Sequence, residues 1–294
     1  MTNDEVSAAA DANSSFGNSS LIRHSGLDIR HSSTLRPALS LCKRELVRFL
    51  RQRNRIIGAL ATPIVFWMLL GFGMGRNFSA EGLPGGDNYL RFFFPGTIVM
   101  ILLFTAIFST ISIIEDRREG FLQGVLIAPV SRMAIVLGKV LGGTILAAGQ
   151  GLLFLLLAPT IGIKPTPAAW ALTILVMLVV SFALTALGFC IAWRMSSTQG
   201  FHAIMNLFLM PMWFLSGALF PARESALRWV MQLNPLTYGV SAIRQAIYFG
   251  EPTTSATSAM PTLGVNLLVS VVFAIVMFLL ASLIAGGRVS ADLQ

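Results

Sequence analysis

The chain has 294 residues, 55% hydrophobic and 12% charged, with 21 Lys and Arg against 13 Asp and Glu, a formal net charge of +8 and a mean hydropathy of +0.74. A soluble domain carries about a quarter charged residues, so this composition excludes a water-solvated globule and points to an all-α integral membrane protein. A sequence pI near 10.5 is compatible with nucleic acid, but the basic excess sits beside the first apolar run, where anionic lipid is the better partner and no nucleic acid is expected.

Residues 1–36 are rich in Ser, Asn and Ala and lack the apolar core of a signal peptide; they are expected to form a disordered cytoplasmic tail ahead of a membrane domain at 37–288. From Leu39 to Arg55 the apolar residues Leu39, Cys42, Leu46, Phe49 and Leu50 recur at helical spacing, with Lys43, Arg44, Arg48 and Arg51 largely on other faces. That pattern predicts an amphipathic helix lying in the membrane interface. Six runs then reach the ~20 apolar residues needed to cross hydrocarbon: 56–75, 92–114, 134–157, 168–193, 201–220 and 262–285. In lipid they must be helices, because backbone groups find no other partners. Gly71 and Gly75, and Gly138 and Gly142, have a spacing that suits close packing of helices within the chain. Pro63, Pro95 and Pro211 fall within or at the start of spans, where they bend helices and free carbonyls. Cys42 and Cys190, the two cysteines, lie one before the first span and one inside a span and imply no disulfide framework.

Nine cations precede the first span (Arg23, Arg30, Arg36, Lys43, Arg44, Arg48, Arg51, Arg53, Arg55), and Arg117, Arg118 and Arg132 lie in the second loop. The first and third loops hold Arg76, Arg91 and Lys164. This bias predicts both termini and the second loop on the cytoplasmic side of the cell (inner) membrane. That loop begins Glu115-Asp116-Arg117-Arg118-Glu119-Gly120, a charged island expected to face water. It continues through Phe121–Gly124 to Ala128-Pro129-Val130-Ser131-Arg132, so it reads as a compact docking surface more than a floppy linker.

Catalytic groups are scarce. The three histidines are His24, His31 and His202, which supply no metal cluster, and neither a GxSxG nor a GxxxxGK[ST] motif occurs, so no cofactor and no intrinsic ATP hydrolysis are expected. A rhomboid-type intramembrane protease would pair a serine such as Ser216 with a histidine in the last span, which has none. The six predicted spans contain no Asp or Glu, and Lys139 and Arg194 lie close enough to helix ends to snorkel. Ion coupling is therefore poorly supported, and energy is expected from a partner. After the fifth span, Ser216-Gly217-Ala218-Leu219-Phe220-Pro221 leads to Asn234-Pro235-Leu236-Thr237-Tyr238-Gly239 and the amphipathic run Val240–Phe249. Its Asn-Pro break predicts short re-entrant helices, with Val240, Ile243, Ile247 and Tyr248 on one face and Arg244 and Gln245 off it.

Taken together, EDRREG followed by GVLIAPVSR and GK, six spans, LSGALFP and NPLTYGVSAIRQAIY resemble the permease subunit of ABC-2 type ABC transporters, the group with nodulation-type lipo-oligosaccharide and daunorubicin-resistance permeases. The likeness covers roughly residues 39–285. It implies an interfacial helix before the first span, a coupling helix between spans two and three, and two re-entrant helices before span six.

By that resemblance Glu115, Arg117, Arg118, Glu119 and Gly120, closed by Pro129 and Arg132, belong to the region that meets a cytoplasmic ABC ATPase subunit. Asn234, Pro235, Tyr238, Ile243 and Ile247 shape the outer hairpin or gate. Thr105, Ser109, Asn206, Met210 and Trp213 are candidate pathway lining. The implied function is outward translocation of a hydrophobic, amphipathic or lipid-linked molecule by a homodimer or a pair of similar permeases. The alternative is a non-transporting scaffold or assembly factor whose charged loop anchors a cytoplasmic protein.

Overall fold

The computed structural model describes residues 34–74, 88–127, 130–220, 228–250 and 261–287, and every regular element among them is helical. Residues 1–33, Gly75, Pro129 and 221–227 lie outside the described residues, and with them most of the expected tail.

The helices in chain order are α1 (Leu35–Arg51), α2 (Arg53–Met74), α3 (Tyr89–Arg118), α4 (Phe121–Ile127), α5 (Arg132–Leu155), α6 (Pro167–Arg194), α7 (Thr198–Phe214), α8 (Arg228–Leu233), α9 (Pro235–Ile247) and α10 (Leu263–Gly286). Their starts share one device: Asn88, Ser131, Thr166, Ser197, Asn234 and Thr262 each turn a side-chain oxygen to a backbone N–H of the first turn. This relieves donors that a helix leaves unpaired. Pro167 and Pro235 occupy first positions, where a missing N–H costs nothing.

α3 is the buried centre of the bundle, packed against α2, α5 and α6; α2 and α10 are mostly exposed to the surroundings, with α10 lying on α6 and α9. The antiparallel run of the helices gives the bundle two unlike ends. One gathers α1, the C-termini of α3, α6 and α10 and the start of α5, and is rich in charge. The other gathers the N-terminus of α3, the C-terminus of α5 and α9, and is rich in rings. Phe94 stacks on Phe154 at 4.8 Å, Trp67 meets Phe154 edge-on at 5.3 Å, and the indole N–H groups of Trp67 and Trp213 donate to the carbonyls of Leu90 and Gly96, each at 3.0 Å.

Five helical stretches are long and apolar enough to cross a membrane: α2, α3, α5 with its extension to Ile161, α6 and α10. The fifth expected span, 201–220, is instead α7, of 17 residues, followed by a turn over Leu215–Phe220. At 1.5 Å per residue α7 extends about 25 Å, yet it still runs from the charged end, where Arg118 bonds the Ser196 carbonyl just before it, to the aromatic end, where Trp213 donates to the Gly96 carbonyl. The helix stops because Gly217 adopts a left-handed backbone (φ +75°) that ends regular winding.

The face of α1 is also rotated from expectation. Ala38, Leu41, Cys42, Glu45 and Phe49 are buried, whereas Leu39 and Leu50 are exposed. α5 presents glycines there: a Cβ at Gly138 would stand 2.6 Å from the Ala38 carbonyl, and one at Gly142 2.8 Å from the Glu45 Cβ. This notch, and not the strongest apolar stripe, seats α1.

Candidate functional site

At the charged end α3 does not stop at Ile114 but runs on to Arg118, carrying Glu115 and Asp116 into the helix. The expectation that this island faces water holds for Arg118, Glu119 and Gly120, which are exposed, and fails for Asp116, which is fully buried. The carboxylate is compensated by three cations from two helices. Arg44 grips it through both terminal nitrogens at 2.7 and 3.0 Å, and Arg48 of α1 and Lys139 of α5 also bond to it. Lys139 reaches Glu45 at 2.8 Å and the Ser112 hydroxyl at 3.3 Å, so it is a buried partner and does not snorkel. Around this centre Arg48 bonds Glu115 at 2.9 Å and Glu119 at 3.1 Å, and Arg55 pairs with Glu115. Four cations (Arg44, Arg48, Arg55, Lys139) meet four anions (Glu45, Glu115, Asp116, Glu119), so the network sums to zero. Buried charge is tolerated only when paired in this way. The hydrogen bond to Asp116 raises the Arg44 guanidinium above its already high ordinary value.

Arg117 and Arg118 turn away from the network. Arg117 donates to the carbonyls of Trp193 (2.7 Å) and Met195 (3.2 Å), and Arg118 to that of Ser196 (3.1 Å). Both therefore cap the C-terminal end of α6, where unpaired carbonyls and the helix dipole favour a cation. Arg132 makes a long contact, 3.4 Å, to the Ala285 carbonyl at the end of α10.

Gly120, with φ +74°, makes the corner from which α4 departs. Leu122 is buried beneath this short helix, while Gln123, Gly124 and Ile127 are exposed. Phe121 lies under the Arg44 guanidinium, 3.6 Å from carbon to ring centroid, so one side chain joins α4 to the ion network. Between α1 and α4 an apolar cavity of about 380 Å3 is lined by Pro37, Ser40, Leu41, Phe121, Gly124, Val125 and Val130.

At the aromatic end the Asn234-Pro235 break separates α8 from α9 as the sequence predicts. Asn234 caps α9 and donates its amide to the Met212 carbonyl at 2.6 Å; Tyr238 reaches back to the Gln232 carbonyl at 2.9 Å. Ile243 and Ile247 are buried. So is Arg244, which the helical pattern had set off the buried face. Pro95 brings no N–H to the Arg91 carbonyl, and the Tyr248 hydroxyl stands 3.5 Å from it.

The five candidate lining residues do not form one surface. Thr105 is buried and bonded to Gln150 at 2.5 Å, Ser109 is buried and donates to the Ala106 carbonyl, and Trp213 is buried against α3. Only Asn206 is exposed, with Met210 half-buried. Among the described residues no group of three or more His, Cys, Asp or Glu is placed to hold a metal.

The compensated charge network at one end and the helical hairpin at the other belong to one multi-pass helical bundle. The ABC-2 type transporter family matches residues 38–248, and the chain belongs to that family. Among its relatives, the ycf38 protein of Cyanophora paradoxa is 26% identical over 250 residues, 82% of this chain and 86% of that one. Nodulation protein J of Sinorhizobium fredii is 28% identical over 197 residues (65% and 73%), and that of Rhizobium meliloti 27% over 202 residues (67% and 75%).

Proposed function

We propose that this chain is the membrane-spanning subunit of an ATP-driven exporter that moves a hydrophobic, amphipathic or lipid-linked molecule outward. ATP is hydrolysed in a separate ABC ATPase subunit on the cytoplasmic side, where both termini of the permease also lie. Two such permeases, identical or similar, enclose the pathway, because one bundle has its centre filled by α3. The charged end is the seat of coupling. The observation that carries the reading is the continuous path from an exposed short helix, α4, through Phe121 and Arg44 to Asp116 and so to α3 and α5. A push on α4 reaches two membrane helices through side chains already in contact. The match of residues 38–248 to a transporter family supports the same reading.

The test is charge reversal at exposed positions outside the buried centre of the network. Arg118→Glu and Glu119→Lys are expected to leave the permease folded and inserted but to abolish transport and to weaken copurification of a coexpressed ATPase. Normal transport by both variants would overturn the coupling role. In a background with Cys42 and Cys190 replaced, Gln123→Cys should react with a membrane-impermeant maleimide only after cells are opened. Labelling in intact cells would place α4 on the outer side and end the model.

A further inference from the structure

Arg244 is 1% exposed, and its guanidinium carbon lies 4.3 Å from the centroid of the Phe92 ring. One terminal nitrogen, Nη2, donates to the carbonyls of Phe92 at 3.2 Å and Gly217 at 3.3 Å. Nε and Nη1 have no hydrogen-bond partner. A guanidinium has five N–H donors, so two carbonyl contacts at the long end of the usual range leave three unspent. The described acidic side chains, Glu45, Glu115, Asp116 and Glu119, are all committed at the opposite end. A tie between α9 and α3 requires only Nη2; a full positive charge held away from water, with no acidic side chain beside it among the described residues, is a cost that such a tie does not explain.

We propose that Arg244 is the anchor of an anion-binding site at the aromatic end, which takes an oxyanion such as a phosphate, sulfate or carboxylate. Both bidentate edges of the guanidinium combine Nη2 with one of the unpartnered nitrogens, and an oxyanion on either edge makes shorter, charge-assisted bonds that outcompete a neutral carbonyl. The setting suits an amphipathic bearer of that group. Trp229 and Leu233 on α8, and Phe220 and Phe249 in the turns next to α7 and α9, are large, apolar and exposed, a surface on which the tail of such a bearer can lie. That the bearer is exported cargo rests on the function proposed above; the anion site itself does not.

The experiment follows thermal melting of the purified full-length chain in detergent, without any ATPase, by intrinsic tryptophan fluorescence. The probes are dihexanoyl phosphatidic acid, dihexanoyl phosphatidylcholine and inorganic phosphate. Phosphatidic acid is expected to raise the melting midpoint where phosphatidylcholine does not, and Arg244→Gln to weaken the apparent affinity about tenfold or more. Arg244→Lys, which keeps the charge without the fork, is expected to respond weakly, and it decides the matter if Arg244→Gln does not fold. A response to phosphatidic acid alone assigns a lipid-like head group; an equal response to inorganic phosphate assigns a free oxyanion. No response in the wild type, or one that both variants retain in full, overturns the site, since the latter belongs to the basic residues of α1 and its flank. Failure here leaves the export reading standing, and failure of the charge reversals at Arg118 and Glu119 leaves this site standing.

Discussion

At the charged end eight ionised groups from four helices cancel, and the fully buried Asp116 has a cation on every side. At the aromatic end Arg244 is buried as deeply, with a ring and two carbonyls for company. The first arrangement is mutually dependent: each member is affordable only while the others stay. The second rests on the Phe92 ring and the carbonyls of Phe92 and Gly217, with the charge left over. One end thus holds a set of charges that cancel among themselves, the other a charge with no acidic side chain beside it among the described residues.

Breaking the network should give the largest effect. Asp116→Ala takes from Lys139, Arg44 and Arg48 the buried carboxylate they share, and a loss of about 3–5 kcal/mol is expected on thermal melting. Adding Lys139→Met removes the most buried of these cations and should restore part of that loss; a double variant no more stable than the single one would show that Asp116 matters for packing and not for charge. Next is the seat of α1. Gly138→Ala drives a methyl into the Ala38 carbonyl and should cost about 1–3 kcal/mol, with α1 becoming more open to protease. Arg244→Met should follow at about 1–2 kcal/mol, because two carbonyls lose a donor while the burial of a bare charge is relieved. If it proves as costly as Asp116→Ala, the two ends are not different in kind. The smallest change in stability, below about 1 kcal/mol, belongs to Glu119→Lys, whose side chain is 60% exposed.

Hydropathy made the membrane helices legible, and Asn234-Pro235 located the hairpin break to the residue. What it missed are places where one side chain's partner lies far off in sequence. Glu115 and Asp116 read as loop because a run of charges normally ends a span; the cations that allow α3 to continue come from residues 44, 48, 55 and 139. The usable hint was Lys139, a lone cation in an apolar run, for which an acidic partner was the alternative to snorkelling. The buried face of α1 was misread for a related reason, since the glycine notch of α5 outweighs the apolar stripe and is invisible from α1 alone. The lining residues Thr105 and Ser109 were chosen for polarity, which inside this bundle is used up by bonds to Gln150 and the Ala106 carbonyl.

The ion network also has an order in time. Arg55 precedes its partner Glu115 by 60 residues and Arg44 precedes Asp116 by 72. At a synthesis rate of about 5–20 residues per second these arginines wait roughly 3–14 s for their carboxylates. During that interval they stand beside the first hydrophobic helix without the carboxylates of α3, in the condition in which basic residues govern which way a helix enters the bilayer. The same guanidinium groups are thus free positive charge beside the first hydrophobic helix of the nascent chain and ion-pair partners in the finished one, and the change comes as α3 delivers the anions.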